Sequence, residues 1–483
     1  MHLFAYLFAM VEPAEGLGDS FGQGATSVHP VILAIMALSI VLMFVLQRKY
    51  VLAPLLLLSI LSPMGQYVMI GPFHFQIFRI LVIFAWGRLL WERYGSGGQS
   101  FAIKFGVVDK AVLLYTVTSV ICYTLLWQRS EAFFDEVGKS YNVLGFYFVF
   151  RYFIRNEKDI ERTLKVLVVA ALLIAAVMFN EQMTGRNILA VFGGVPERTA
   201  MREGYLRAQG PFTVYLTAGA FGATILPLFL CLWRRGGSRL MAALGIVAAL
   251  TITITSRTST AMSALVAAII GIAMWPLREK MRLVRWSIVV TLVGLHLVMK
   301  APVWSLIARV DIVGGSTGWH RFKIVDNFIR HFWDWWLLGS NNYWTWEGGD
   351  DMWDAANQYV STGETSGLLP LIFFMSAIVY CFKYLGKARK AAGKDVRRAW
   401  FLWLLGASLF SNLVAFMGIS YYDQTSIYWY AVLAMIVAAT SLPQKSIAVQ
   451  VPAAPSSFEF SSPAPALENE QAEPARSGSM LFS

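Results

Sequence analysis

The stretch "TLKVLVVAALLIAAVMF", Thr163 to Phe179, decides the fold. Apart from Thr163 and Lys165 every residue in it is apolar, so a helix drawn through it is greasy on all sides. A helix on the surface of a soluble domain keeps a polar face; one without such a face belongs in a core or in lipid. About 20 apolar residues span the hydrocarbon layer of a bilayer. Similar runs recur, such as "PVILAIMALSIVLMFVLQ" from Pro30 and "TSTAMSALVAAIIGIAMW" from Thr258. Of 483 residues, 57% are hydrophobic and 14% charged, whereas an ordinary soluble domain carries about 25% charged residues. The class is therefore all-α, a polytopic membrane helical bundle of about 12–13 spans.

The spans fall near residues 30–47, 51–70, 74–91, 110–127, 140–154, 162–179, 211–233, 239–256, 258–276, 286–304, 367–385, 398–420 and 424–441. Pro63, Gly65 and Gly71 interrupt the second of these, and Arg79 and Arg88 sit in the third. Five regions follow: an interfacial N-terminal segment (1–29), a transmembrane bundle (30–304), a long loop (305–366), C-terminal transmembrane helices (367–441) and a tail (442–483). The tail, rich in Pro, Ala, Ser and Glu, reads as disordered. The N-terminus has no basic leader, and Glu12 and Glu15 follow its short apolar part, which does not suit a cleaved signal peptide.

Net charge is +11. In a membrane protein its meaning lies in its distribution, because lysine and arginine collect on the cytoplasmic side. The basic connections are Arg155–Lys165, Arg234–Arg239, Arg278–Arg285 and Lys383–Arg398. Alternating spans put all four on one side, and nothing calls for nucleic acid. Residues 180–210, the turn at Arg257, the loop 305–366 and Ile419–Gln424 then face outward, which in a bacterium is the periplasm. Cys122, Cys231 and Cys381 lie in apolar segments without disulfide or metal spacing.

A loop as long as 305–366 is usually functional or disordered, and this one is too aromatic for disorder. Phe322, Val325, Phe328, Ile329 and Phe332 recur at helical spacing, predicting an amphipathic helix over about Gly318–Asp334 with Ser316 or Thr317 as N-cap. Arg321, Asp326, Asn327, Arg330 and His331 fall largely off that stripe, toward water. Farther on come Trp335, Trp336, Tyr343, Trp344, Trp346 and Trp353, with Asn341, Asn342, Asp350, Asp351 and Asp354. Flat aromatic faces beside amides and carboxylates suit a carbohydrate, although an aromatic belt at headgroup level explains some of the rings. The scattered aspartates are weak evidence for a metal, and no cofactor is expected.

Three arginines stand out on the outward side. Arg207 precedes Gly210 and Pro211, where a span begins; Arg257 occupies the turn "TSRTST" between two spans; Arg321 opens the long-loop helix. Arg186, Arg198 and Arg202 accompany them. Arginine at a membrane edge breaks the positive-inside bias and is a functional candidate by default. Several planar forks on one face suit a lipid diphosphate, whose oxygens need charge-assisted donors.

"RAQGPF" (207–212) before a span, "SRT" (256–258) at an outer turn, and a long loop that opens "GWHRFKIVDNFIRHFWDWWLLGS" and closes "ANQYVSTGETSGLLPL" appear in that order. In this combination the chain resembles the O-antigen ligase and O-antigen polymerase superfamily of bacterial envelope glycosyltransferases. The resemblance implies a metal-independent, inverting GT-C-type membrane glycosyltransferase in the bacterial inner membrane. It would move a glycan from an undecaprenyl-diphosphate carrier to a hydroxyl of an acceptor glycan or lipid. Polysaccharide export or chain-length proteins are possible partners. It implies catalytic roles for Arg207, Arg257 and Arg321, with Asp354 as an acid–base candidate. Substrate contacts would come from Arg202, Arg330, His320, Trp319, Trp336, Asn357 and Gln358. Ligases of this family usually carry histidine directly before the Asn of the closing motif, and here that position is Ala356. The acceptor's proton must then go to another group, with Asp351, Asp354, Glu364, His320 and His331 as substitutes, and the departure favours a polymerase-like or divergent enzyme. A flippase for the same lipid-linked glycan, or a non-catalytic assembly protein, are the rival readings.

Overall fold

The computed structural model describes residues 28–70, 73–95, 105–233, 239–309, 318–346 and 356–441. The N-terminal segment through Ser27, the tail, the Ser316/Thr317 cap and the aspartates Asp350, Asp351 and Asp354 lie outside them. Within the described residues the chain is almost wholly helical. The helices are α1 (Pro30–Val45), α2 (Leu52–Leu61), α3 (Ile77–Gly95), α4 (Val107–Trp127), α5 (Ser130–Phe153), α6 (Glu157–Thr184), α7 (Tyr215–Trp233), α8 (Arg239–Thr255), α9 (Ser259–Ala273), α10 (Met281–Val298), α11 (Gly318–Arg330), α12 (Phe332–Trp335), α13 (Gln358–Ser366), α14 (Leu368–Ala391), α15 (Val396–Ala415) and α16 (Gln424–Ser441). Two small hairpins pair β1 (Tyr67–Ile70) with β2 (Phe73–Gln76) and β3 (Ala200–Arg202) with β4 (Tyr205–Arg207).

Six segments are long and apolar enough to cross a membrane: α4, α6, α7, Trp275–Val298, α14 and α15; α1, α8 and α9 are shorter apolar helices. The chain is a multi-pass membrane protein. Each predicted span overlaps a helix, with one correction. The span expected over 51–70 is the ten-residue α2 followed by the β1–β2 hairpin. Pro63 has no N–H to continue the helix, and the Gly65 N–H donates instead to the Gly194 carbonyl (3.1 Å). A Cβ on Gly65 would collide with the Gly194 backbone.

The bundle is built around α16. From Ile427 to Ala439 it is buried on every side, packed among α5, α14, α15 and α7. Helix α7 in turn packs on α8, α9 and α15. Helix α10 is the opposite case, apolar with no buried residue. The three cysteines are buried thiols.

The described parts of the predicted loops meet at two ends, residues 234–238 of one basic connection lying outside the described residues. At one end Arg389 bonds Glu279 (2.6 Å) and the Arg278 carbonyl (2.8 Å), and Arg398 lies 3.9 Å from Glu157. That is the basic end. At the other, Gln424 donates to the carbonyls of Ser62 (3.0 Å) and Pro211 (2.8 Å), and the Gln358 N–H donates to the Phe416 carbonyl (2.9 Å).

One buried ion pair braces α4 against α5. Asp109, fully buried, accepts from Arg151 Nε (2.8 Å), Tyr147 Oη (2.6 Å) and the Gly106 N–H (2.7 Å). Removing one member of such a pair strands the other charge. Asp109→Ala is expected to cost about 3 kcal/mol, read as a lowered melting temperature in detergent, whereas the double variant Asp109→Ala/Arg151→Met recovers most of it.

Candidate functional site: an arginine cluster at one end of the bundle

The segment after α6 is tied down before it reaches Arg207. Gly185 in the left-handed region (φ 70°) ends α6. Glu203 and Gly204, both at positive φ (53° and 79°), turn β3 into β4, the backbone that a two-residue hairpin loop requires. Glu181, one turn from the end of α6, is buried. Its carboxylate accepts from the N–H groups of Gln209 (3.2 Å) and Gly210 (2.8 Å) and from Thr199 Oγ1 (3.3 Å). Glu181 thus positions the loop carrying Arg207. Glu181→Ala is expected to free residues 199–210, seen as at least a tenfold rise in amide exchange there against an unchanged α16.

The segments that carry Arg207 and Arg257 are joined to each other. The N–H of Ala208 donates to the Thr255 carbonyl (3.1 Å), binding the chain beside Arg207 to the turn that holds Arg257. Gln182, with its amide oriented by its surroundings, places its nitrogen 3.2 Å from both the Thr255 and Leu206 carbonyls. The guanidinium of Arg257 lies over the ring of Tyr205 (4.7 Å), and that of Arg207 over Tyr215 (5.3 Å). Tyr205 is on the same strand as Arg207, so the two arginines share one wall. Arg321 joins them from the long loop, its Nη2 donating to Thr260 Oγ1 (2.7 Å), three residues beyond Arg257.

Close helix packing fixes this turn. A Cβ on Gly219 of α7 would meet the Ser256 side chain, and one on Gly418 would meet Thr260. Thr258 caps α9 by accepting from the Ala261 N–H (3.2 Å), and Ser256 Oγ donates to the Thr253 carbonyl (2.8 Å). Both hydroxyls are engaged in fixing the turn.

Arg207 is only 8% exposed. It pairs with no carboxylate among the described residues, and its Nε is buried without a hydrogen bond. A buried guanidinium is costly unless an anion answers it.

The other expected contacts divide. His320 is half-buried in the first turn of α11, beside Arg321. Trp319 (62%) and Trp336 (39%) are exposed, as is Arg202. Arg330 is exposed and pairs with Asp326 (2.7 Å). Asp326 and Asn327 are buried, contrary to the prediction that they face water; Asp326 also accepts from Trp304 Nε1 (2.9 Å). The apolar face of α11 is centred on Ile324 and Phe328, and Ile329 is 44% exposed. The helix ends at Arg330, short of Asp334. Asn357 caps α13, accepting from the N–H groups of Tyr359 (3.0 Å) and Val360 (3.3 Å). Gln358 accepts from the Tyr421 N–H (2.7 Å) and reaches Thr362 (3.3 Å). Both residues are occupied in holding α13. Ala356 packs against the small apolar cluster of Ile324 and Val360.

His331 bonds Asp334 through Nδ1 (2.8 Å) and stacks on Trp346 (4.7 Å, 7°). It lies along α11 from Arg321 by about 15 Å, away from the arginine cluster. Glu364 is buried at the base of the long loop, with Oε1 lacking a hydrogen-bond partner among the described residues. Burial pushes its carboxyl from the ordinary 4.5 up to about 8. Between those values the unfolded chain releases a proton that the folded chain keeps. The fold therefore has its full stability from this group below the ordinary value and loses it as pH rises through 8. Melting temperature is expected to fall from pH 5 to pH 9 in the natural protein and to fall less steeply across that range in Glu364→Gln.

No family model matches the chain, and no curated protein matches it significantly.

Proposed function

We propose that the chain is a membrane glycosyltransferase of the GT-C type, acting at the periplasmic face of the bacterial inner membrane. It takes a glycan from an undecaprenyl-diphosphate carrier and joins it to an acceptor hydroxyl, as the O-antigen polymerases and ligases do. The observation that supports the reading is Arg207, a buried guanidinium without a carboxylate partner among the described residues, on a wall shared with Arg257, with Arg321 donating to Thr260 three residues beyond Arg257. A diphosphate supplies the missing negative charge. Arg207 and Arg257 stabilise it as it leaves, where arginine forks act as preorganised donors to developing charge. Arg321 orients the donor. His320, beside Arg321, takes the acceptor proton in place of the histidine that Ala356 replaces. The exposed rings of Trp319 and Trp336 offer stacking faces to sugar rings.

The test is the purified chain in detergent with an undecaprenyl-diphosphate oligosaccharide. Release of undecaprenyl diphosphate together with a growing glycan ladder supports polymerisation; release with a single transfer supports a ligase. Movement of the intact lipid across a proteoliposome without bond cleavage supports the flippase reading, and the transferase proposal then fails.

A further inference from the structure

At the end of the bundle opposite the arginine cluster, a cleft of ≈ 350 Å³ opens between the turn after α1 and the start of α6. Arg48, Lys49, Lys158 and Arg162 line it, and Asp159 is its one carboxylate. The cleft is built around that carboxylate. Asp159 is 4% exposed; its Oδ1 accepts from Arg162 (2.7 Å), and its Oδ2 from the Arg155 N–H (3.1 Å), with Arg48 at 3.5 Å. Asn156 fixes the same turn by accepting from the Asp159 N–H (2.9 Å). Two arginine forks are thereby held by a single buried acid. Arg48 is steadied further by the Phe153 carbonyl (3.3 Å). Lys49 lies over Tyr50 (5.0 Å), and neither it nor Lys158 pairs with a carboxylate among the described residues. Arg155 stands just behind; burial, and then the nearby Arg48, push it below the usual arginine range.

Four cations against one acid leave the cleft with a surplus of three positive charges. The positive-inside bias accounts for basic residues at this end, but not for their convergence on one concavity around a buried carboxylate. The chemistry called for is a phosphate, which forks and ammonium groups bind together. The surface below the cleft identifies its source. Val169 and Leu173 lie seven and eleven residues after Arg162, on the same face of α6, and are 40% and 49% exposed. The cationic mouth therefore continues into an open apolar strip along the helix. A free phosphate has no use for that strip; the acyl chains of a lipid do.

We infer that this cleft binds the phosphate headgroup of an anionic phospholipid of the adjoining leaflet, its chains lying along the Val169–Leu173 face of α6. Basic pockets between membrane helices on this side suit such headgroups. The inference is independent of the transferase reading, since it concerns the other end of the molecule.

The test uses the full chain in nanodiscs of phosphatidylcholine doped with phosphatidylglycerol, with retained lipid read by native mass spectrometry after extraction into detergent. The triple variant Arg48→Gln/Lys49→Gln/Lys158→Gln is expected to bind phosphatidylglycerol on the order of 100-fold more weakly. The control Lys383→Gln/Lys387→Gln/Lys394→Gln removes the same charge from the same end and is expected to stay within about twofold. Equal losses in the two triples, or none in the first, overturn the site. Should the triple fail to fold, Lys158→Gln alone is expected to weaken retention and Lys158→Arg to restore it; unchanged retention in Lys158→Gln overturns the site as well. If inorganic phosphate stabilises the protein in pure phosphatidylcholine as much as phosphatidylglycerol does, the ligand is soluble phosphate and the lipid assignment is wrong.

Discussion

Arg207→Met is expected to abolish glycan transfer and at the same time to raise the melting temperature. The two signs have one cause. Arg207 is buried, lacks a carboxylate partner among the described residues, and leaves Nε without a hydrogen bond. In the absence of substrate that arrangement is unfavourable, because a desolvated charge without a counter-charge costs several kcal/mol before relaxation. Methionine fills similar volume without the charge and should gain about 1 kcal/mol in the ligand-free protein. Under the proposed function the same change removes a donor to the leaving diphosphate, for which losses of about 10²–10³-fold in rate are typical. Arg207→Lys separates charge from geometry. Lysine keeps the positive charge but loses the fork and the planar face that lies over Tyr215, so transfer should remain at least tenfold down. The measurement is the initial rate of undecaprenyl diphosphate release beside a melt of each variant. A methionine variant that melts lower, with activity falling only as its folded fraction falls, would make Arg207 a structural residue.

Most of the architecture could be read from the chain because each helix announces itself by an apolar run, and lipid leaves helices as the economical way to satisfy the backbone. The span over 51–70 failed where composition and backbone chemistry disagree. "YVMI" is as apolar as a helix segment, but Pro63 ends α2 before it and Gly65 engages the Gly194 backbone. The arginines are visible singly, as charges beside apolar spans. Their partners are not. Tyr205 and Tyr215 look like ordinary interfacial aromatics, and only the β3–β4 hairpin and the Ala208–Thr255 bond bring their rings to the guanidinium groups. Glu181 did leave a signal, as an acidic residue closing an apolar span, although what it grips is set by the loop's backbone rather than by any side-chain pattern. The apolar face of α11 was placed almost correctly by periodicity. Asp326 and Asn327 were put toward water because periodicity sees polarity and not the partner, here Trp304, that lets a carboxylate be buried.

Arg257→Gly is the sharper test of the same site, because glycine is what the backbone there prefers. Arg257 has φ 46°, in the left-handed region where a residue with a side chain costs roughly 1–2 kcal/mol and glycine nearly nothing. The Ser256 N–H still donates to the Ile252 carbonyl and that of Arg257 to the Ile254 carbonyl (both 3.2 Å), closing the helix before the turn. Neither bond needs the arginine side chain. Glycine also widens the range of conformations open to the unfolded chain, which takes back part of the gain. The net expectation is a melting temperature equal to or slightly above that of the natural protein, with transfer down by about 10²–10³-fold. Arg257→Ala retains the strained backbone without the fork and should be equally inactive but less stable than the glycine variant. If the side chain mattered only for packing over Tyr205, Arg257→Gly would lose stability and retain activity in the folded fraction. An arginine kept in a glycine's conformation makes sense when its charge is needed by the ligand, and the opposite movement of stability and rate is the measurable form of that argument.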